Sequence, residues 1–575
     1  MAEYPKDVSL KDGDDLNSVK DMENMFEAGK EARKHLVSRW RRNEELYQGK
    51  MLKPFNLPKY KTRIEPNIVH SVIETMYSIL TDRYPQVDVM PKREEQVDSA
   101  RKAQDVLNFV LADKKAHRAI AQMKRDGLIY GNGYIKPVIG IDGVEFVVPD
   151  PFTVFVDPLA TNMQDVNCVI FATPTYIDDI EEAYGKRVAV EGKLDEFQAF
   201  NTPPDKYGTD KFSWDDIETQ GPTEDSNQVD YRGGMAILKE GWYYKEGQLM
   251  LCTWAGDVLL QQEEAPYDFI PLVVFQNYNS AHSFFGKGEP ELIESLAVGA
   301  SIALSQGMDN LIYHGNPAMV MSKSLSKIQG NRPTDKPGQI FYLNNPSETL
   351  QRIPAGNISS STLPMAESMM GLADTVSGVH EISRGFNPTG VTAGKAISQL
   401  QEASQQIIRA KEREIGTDAI IDLNKMTLSL LANNFGETIS IRSDSEDGSG
   451  YEFVQISPYD LDPDMDFKYV PGSSMPESRV HRMDQAIDLL QLGLLDEADF
   501  WRWTQGDITK DKMEQIAQQK AMQEAQMQQE MDVLQNSTNE DEIMDALLRQ
   551  REMSGMAQQT EEAMVAQQPG RPAKK

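Results

Sequence analysis

The sequence predicts an α+β chain that forms an elongated subunit of several parts. Three observations support this fold class. Apolar residues recur at helical spacing over residues 21–129. Short apolar runs bounded by Gly, Pro and Asp then follow over residues 130–276 and predict strands. Long helical patterns begin at residue 288 and again at residue 392, and helices of such length need a partner surface to stay ordered.

The composition excludes several classes of protein. Hydrophobic residues make up 40% of the 575 residues, which is enough to build cores. The net charge of −31 repels nucleic acid at long range, which argues against a conventional DNA-coating protein but not against a DNA-repelling channel wall. Two cysteines cannot form a disulfide framework and indicate a reducing cytosol. We expect neither a signal peptide nor membrane insertion, because no apolar run approaches the ~20 residues of a membrane span.

The N-terminal segment combines a tail, a helix and a basic cluster. Residues 1–20 are expected to be a disordered tail, and a helix is predicted from residue 21 to residue 49. Basic residues then cluster in an otherwise acidic chain: Arg33, Lys34, Arg39, Arg41, Arg42, Lys50, Lys53, Lys59, Lys61 and Arg63. Two interpretations remain open. The cluster is a solvated helix face that offsets nearby acids, or it contacts nucleic acid or an acidic partner.

The segment up to residue 287 is predicted to be helical at first and then rich in strands. Further helices are expected at 67–81, 94–112 and 116–129. Tyr-Gly-Asn-Gly at 130–133 predicts a tight turn, and Asp142-Gly143 is a favoured hairpin pair. Strands are expected at 134–139, 144–148, 153–156, 166–172, 234–244, 249–254, 257–262 and 270–276. The polar, acidic segment 191–228 is interpreted as a loop or insertion.

From residue 288 onward, two long helices flank an excursion. The first helix is predicted over 288–313, with Pro290 in its first turn, and the second over 361–382. Gly385, Pro388 and Gly390 predict a loop over 383–391. The very long helix then runs from residue 392 to about residue 434. Strands at 438–442 and 451–456, two short helices within 476–503 and a Gln- and Met-rich segment at 511–568 complete the chain.

No motif supports an enzyme or a resident cofactor. The segment Gly390–Lys395 resembles a phosphate-binding loop, but only three residues separate its glycines, and Ala396 replaces the hydroxyl residue that holds Mg²⁺. An NTPase that uses this loop remains the alternative function. His380-Glu381 lacks the second histidine of a zinc-protease helix, because Arg384 occupies that position. The acidic run 444–447 misses the ligand spacing of a calcium loop.

The excursion at 314–358 has a net basic composition. The segment contains five cations: Lys323, Lys327, Arg332, Lys336 and Arg352. Its two acidic residues are Asp335 and Glu348. A positive patch of this kind suits an acidic partner or a phosphate backbone. Chance surface composition remains the other interpretation.

The order of these parts resembles the portal protein of tailed double-stranded-DNA bacteriophages. The matching elements are Tyr-Gly-Asn-Gly-Tyr-Ile-Lys-Pro at 130–137, Val-Pro-Asp-Pro-Phe-Thr-Val-Phe-Val-Asp-Pro at 148–158, Lys-Pro-Gly-Gln-Ile at 336–340 and Ala-Ile-Ser-Gln-Leu-Gln-Glu at 396–402. The resemblance spans residues 27–434 approximately. No single element is diagnostic, but the ordered set is fairly specific.

The resemblance implies a portal-type subunit with named parts. These are a wing at 21–287, a stem helix at 288–313, a clip at 314–358, a second stem helix at 361–382, a tunnel loop at 383–391, a long wing helix with strands at 392–475, a crown at 476–506 and a barrel helix or disordered tail at 507–575. Within the tunnel loop, it implies that Arg384, Phe386, Asn387, Pro388 and Thr389 line the channel. Gly299, Ala300, Ala303 and Gly307 are expected to let the stem helices of adjacent subunits approach closely.

The resemblance also implies partners and a location. Portal proteins form rings, usually dodecamers, at one capsid vertex, and DNA passes through the ring during packaging and ejection. The expected partners are terminase, tail adaptor or head-completion proteins, and capsid and scaffolding proteins. The clip cations Lys323, Lys327, Arg332, Lys336 and Arg352 are the expected contacts for terminase and adaptors. The protein is expected in the virion and, during assembly, in the host cytoplasm, with no catalytic activity of its own.

Overall fold

A computed structural model describes most of the first four fifths of the chain. The described residues are 12–55, 57–58, 61–140, 143–189, 234–315, 319–320, 351–352, 362–384, 405–434, 439–444, 451–457 and 461–471. The chain divides into two compact units, Met1–Pro476 and Glu477–Lys575, and every described residue belongs to the first unit.

The first unit combines helices and antiparallel sheets, which confirms the predicted α+β class. Its α-helices are α1 (Asp12–Tyr47), α2 (Ile68–Leu80), α3 (Val97–Asp113), α4 (Ala116–Tyr130), α5 (Ile177–Tyr184), α6 (Glu289–Gly315), α7 (Thr362–Ser377), α8 (Gln406–Glu414) and α9 (Ile421–Asn434). A π-helical turn, Ile415–Ile420, joins α8 to α9, so the three form one continuous helix.

The strands form one large sheet and several small ladders. They are β1 (Val87–Met90), β2 (Asn132–Gly140), β3 (Gly143–Val147), β4 (Val154–Val156), β5 (Cys168–Tyr176), β6 (Met235–Lys245), β7 (Gln248–Ala255), β8 (Val258–Glu264), β9 (Val273–Gln276), β10 (Met319–Val320), β11 (Gln351–Arg352), β12 (Ile439–Asp444), β13 (Tyr451–Ile456) and β14 (Asp466–Tyr469). The large sheet has the antiparallel order β4-β5-β6-β7-β8, and a second sheet has the order β3-β2-β9. The pairs β1-β14, β10-β11 and β12-β13 complete the set.

Helix α1 begins earlier than the sequence predicted. It starts at Asp12, so the boundary of the expected tail at residue 20 is wrong. The physical reason is tertiary. Val19, Met22 and Phe26 are buried in a cluster with residues of the large sheet, including Trp254, and this apolar contact stabilises the first turns of the helix. The sequence pattern alone did not reveal that partner.

The predicted tight turn at 130–133 is present between α4 and β2, and two glycines explain it. Gly131 has φ +98°, a left-handed conformation that favours glycine. A Cβ atom on Gly133 would lie 1.9 Å from the carbonyl oxygen of Met123. Only glycine at position 133 therefore allows the backbone of β2 to pack this closely against the backbone of α4.

One central core joins the long helices to the rest of the unit. It contains Val72 and Met76 of α2, Ile293 and Ala297 of α6, and Ile415 of the π-helical turn. The predicted long helix at 392–434 agrees with the described part, whereas its residues 392–404 lie outside the described residues. The π-helical turn was not predicted.

Candidate assembly site: the helical hairpin

Helices α6 and α7 form a hairpin that brackets the excursion. They pack side by side, and just beyond α6 the strand Met319–Val320 pairs in antiparallel fashion with Gln351–Arg352, which precedes α7. The two ends of the excursion are therefore joined at the end of the hairpin. Residues 321–350 lie outside the described residues, and these include the predicted clip cations Lys323, Lys327, Arg332 and Lys336.

The second helix of the hairpin is shorter than predicted. It ends at Ser377, whereas the sequence placed its end at residue 382. Gly378 has φ +71°, which is the left-handed conformation that commonly ends a helix. A 3₁₀ turn, Glu381–Arg384, follows, so the first two residues of the predicted tunnel loop at 383–391 are helical.

Small residues let the two helices of the hairpin approach closely within one chain. A Cβ atom on Gly299 would lie 2.8 Å from the Met369 sulfur of α7. Ala300 and Ala303 are buried inside the chain as well. Within the chain these three residues therefore serve the packing of the unit, and their expected contact with an adjacent subunit stays a prediction. Gly307 differs, because a Cβ atom there would meet open space.

Large apolar side chains remain exposed on the same hairpin. Each is at least 41% exposed, and together they define what we call the exposed stripe: Met308, Leu311, Ile312, Leu363, Met365, Leu372 and Val376. On α6 the spacing i, i+3, i+4 places its three members on one face of the helix. Monomeric soluble proteins rarely expose apolar patches of this kind, which mark interaction surfaces.

A buried ion pair holds the start of α6 against α8. Lys411 and Glu289 are 4% and 0% exposed, and the Lys411 ammonium donates to the Glu289 carboxylate. The same ammonium donates to Oδ1 of Asn277 at 2.7 Å and lies 3.9 Å from the ring centroid of Tyr278. Desolvation lowers the pKa of Lys411, and the Glu289 charge opposes that shift. The pair therefore fixes the position of the start of α6 relative to α8.

Three residues of the basic cluster near the N-terminus pair with carboxylates of the hairpin. Arg39 pairs with Glu291, Nε of Arg42 lies 2.7 Å from Glu294, and Nζ of Lys61 lies 3.3 Å from Asp309. For these three cations, the interpretation as charges that offset nearby acids is confirmed.

Arg33, another member of the cluster, has an internal structural role. It is 5% exposed, and its guanidinium donates to the carbonyl oxygens of Phe152 and Val154 at 2.6 and 2.8 Å. The acids and carbonyls that these cations contact are distant in the sequence, so the sequence alone did not identify them.

Arg384 is the predicted tunnel residue whose side chain is described. Its guanidinium donates two hydrogen bonds to the Asp374 carboxylate of α7, at 3.0 and 2.7 Å, and both side chains are 21% exposed. Phe386, Asn387, Pro388 and Thr389 lie outside the described residues, as does the Gly390–Lys395 segment. The backbone of Arg352 lies in β11.

Two further findings concern the described residues alone. They contain no cluster of three or more His, Cys, Asp or Glu side chains arranged to hold a metal ion. None of the helices found among them is both long enough and apolar enough to cross a lipid bilayer.

A helical hairpin that exposes large apolar side chains, in a unit that combines helices with antiparallel sheets, is typical of a subunit of a larger assembly. The sequence matches the family described as the phage SU10 portal protein over residues 142–569. The chain therefore belongs to this family of phage portal proteins, which are structural components of the virion rather than enzymes and which form rings. No curated protein matches the chain.

Proposed function

We propose that this portal protein forms a closed dodecameric ring at one capsid vertex, through which double-stranded DNA is packaged and later ejected. The exposed stripe on α6 and α7 is the observation that supports ring formation most directly. Identical subunits can meet head to tail through two different surfaces. They form a ring when successive rotations from one subunit to the next add up to a full turn. Assembly takes place in the host cytoplasm, with capsid and scaffolding proteins as partners.

The charge of the chain suits a conduit. DNA affinity grows with the number of phosphates that a protein neutralises, so a basic channel wall would arrest translocation. The net charge of −31 instead repels the duplex and lowers the barrier to sliding. Three cations near the N-terminus, Arg39, Arg42 and Lys61, are already paired with carboxylates of α6, so they add little to phosphate binding.

The excursion at 314–358 is the proposed clip, which docks terminase during packaging and tail adaptors afterwards. Its two ends pair in the β10-β11 ladder, which follows α6 and precedes α7. Its cations suit an acidic partner surface through charge steering.

Charge reversal tests the clip. Changing Lys323, Lys327, Lys336 and Arg352 together to Glu should leave the ring intact and weaken terminase binding about tenfold or more at low salt, because each exposed pair is worth up to ~1 kcal/mol. Titration of terminase against the ring at two salt concentrations measures this effect. Reversal of four exposed cations elsewhere, Lys20, Lys34, Arg187 and Lys245, is the matched control. Equal affinity of the two quadruple variants at low salt would refute the docking role.

The segment after Arg384 is the proposed tunnel loop. Phe386→Ala and Arg384→Ala should spare ring assembly and impair DNA packaging or its retention in the capsid, because this segment is expected at the narrowest part of the channel. Because Arg384 binds Asp374, Asp374→Ala is the control that removes the same ion pair and keeps the arginine. Genome length per particle is the measurement. Normal packaging and retention in both loop variants would rule out a gating role. If Asp374→Ala is as defective as Arg384→Ala, the defect comes from the lost ion pair with the hairpin and not from the loop.

A further inference from the structure

A cavity of about 430 Å³ lies between the end of α2 and the start of α4. Its lining includes five basic or imidazole side chains: Arg83, Lys115, His117, Arg118 and Lys124. None of the described residues that line it is acidic. In a chain with a net charge of −31, such a concentration of positive charge is unusual and predicts an anionic ligand.

A buried lysine forms part of the cavity wall. Lys124 is 2% exposed, and its ammonium donates to the carbonyl oxygen of Leu80 at 2.6 Å. An ammonium has three N–H donors, so one such bond leaves further donors for a ligand. Burial lowers the pKa of Lys124 to about 8, because desolvation disfavours the charged form. The Glu412 charge already offsets part of that cost, and an anion bound beside the ammonium would offset more of it.

The first turn of α4 strengthens the preference for an anion. Lys115 occupies the N-cap position with φ +53°, and His117 and Arg118 follow in the first turn, which contains no acidic residue. The N-terminus of a helix has a partial positive charge, so cations there repel the helix dipole. A bound anion would relieve this repulsion for Lys115 and Arg118, whereas burial lowers the pKa of His117 and favours its neutral form.

An aromatic surface lies beside these cations. The rings of Tyr84 and His117 stack with their centroids 3.5 Å apart and their planes inclined by 26°. Tyr84 nevertheless stays 62% exposed, so part of its ring is open to a ligand. Stacking of a nucleobase on an aromatic side chain is tolerant of base identity and contributes substantially to binding.

We propose that this cavity binds a nucleoside phosphate, with the phosphate on Lys115, Arg118 and Lys124 and the base stacked on Tyr84. The ligand is either a free nucleotide or one nucleotide within a nucleic-acid strand. The exposed aromatic ring favours this ligand over an acidic peptide, because Asp and Glu side chains have no aromatic ring to stack. The cavity also has the size typical of small-ligand sites. The proposal concerns binding alone and does not depend on the assignment of the clip or the tunnel loop.

Calorimetric titration of the full-length protein with dTMP, inorganic phosphate and oligo(dT) tests the proposal at low salt. We expect one of the two thymidine ligands to bind at least tenfold more tightly than phosphate, since only they can stack. Binding of dTMP identifies a free nucleotide as the ligand, and binding of the oligonucleotide alone identifies a strand. Tyr84→Ala should lower the affinity for the thymidine ligand about tenfold without changing that for phosphate, and Tyr84→Phe should retain it.

A charge-reversed variant distinguishes binding in the cavity from attraction by the overall charge of the protein. Lys115→Glu with Arg118→Glu should weaken binding at least tenfold, whereas Lys20→Glu with Lys34→Glu, which changes the net charge equally on α1, should not. Binding that is equal in both double variants would overturn the proposal. So would the absence of binding by either thymidine ligand, or displacement by hexaglutamate as effective as displacement by the thymidine ligand.

Discussion

Lys411→Met is expected to lower the free energy of unfolding by about 3–5 kcal/mol. The reason is that the substitution leaves the Glu289 carboxylate, which is 0% exposed, as an uncompensated charge in the protein interior. It also removes the donor to Asn277 and the cation beside the ring of Tyr278. Urea denaturation of the unassembled subunit, followed by circular dichroism, measures the loss.

Two variants make this result specific to the ion pair. Lys425→Met removes an exposed ammonium from α9 and should cost less than about 0.5 kcal/mol. The double variant Glu289→Gln/Lys411→Met should recover part of the loss, because no unpaired carboxylate remains buried. If Lys411→Met costs no more than Lys425→Met, the ion pair does not hold the hairpin in place.

Replacing Leu311 and Leu372 together with Glu is expected to abolish ring assembly and leave the subunit folded. Both side chains belong to the exposed stripe, at 64% and 50% exposure, so the change costs the isolated subunit little. In the ring, each carboxylate would lose water on contact with a neighbouring subunit, at a cost of ~2 kcal/mol or more per interface. That corresponds to a loss of roughly thirtyfold in each contact, which accumulates around the ring.

Light scattering after size-exclusion chromatography measures the assembly of this variant. Leu159→Glu is the matched control, since Leu159 is 89% exposed and lies outside the hairpin. The control should assemble as the unmodified protein does. Normal rings from the Leu311→Glu/Leu372→Glu variant would show that the exposed stripe does not contact a neighbouring subunit.

Local sequence signals predicted much of the described fold. The antiparallel pairing of β2 with β3 confirms the hairpin that Asp142-Gly143 predicted, and alternating apolar residues between turn signals predicted the strands of the large sheet. These features depend on residues close in sequence, which is where periodicity and turn chemistry are informative. The helical hairpin was likewise evident from Pro290 at its start and from its apolar repeat.

Features that depend on distant partners were not predictable. The early start of α1 requires its contact with the large sheet, and the π-helical turn at Ile415–Ile420 accompanies the contact of Gly416 with the ring of Tyr469. The packing of Gly299 against Met369 of the same chain likewise depends on a distant partner. Spacing along one helix shows that a close approach is possible, but not which helix makes it.

Electron microscopy of the purified full-length protein tests the central claim most directly. The proposal predicts closed rings with twelvefold symmetry and a central channel wide enough for duplex DNA, formed by the protein alone. A closed ring requires that the rotations between neighbouring subunits add up to a full turn. Open filaments, particles without a central channel, or single subunits at every concentration and salt condition would contradict the account of this chain as a DNA conduit.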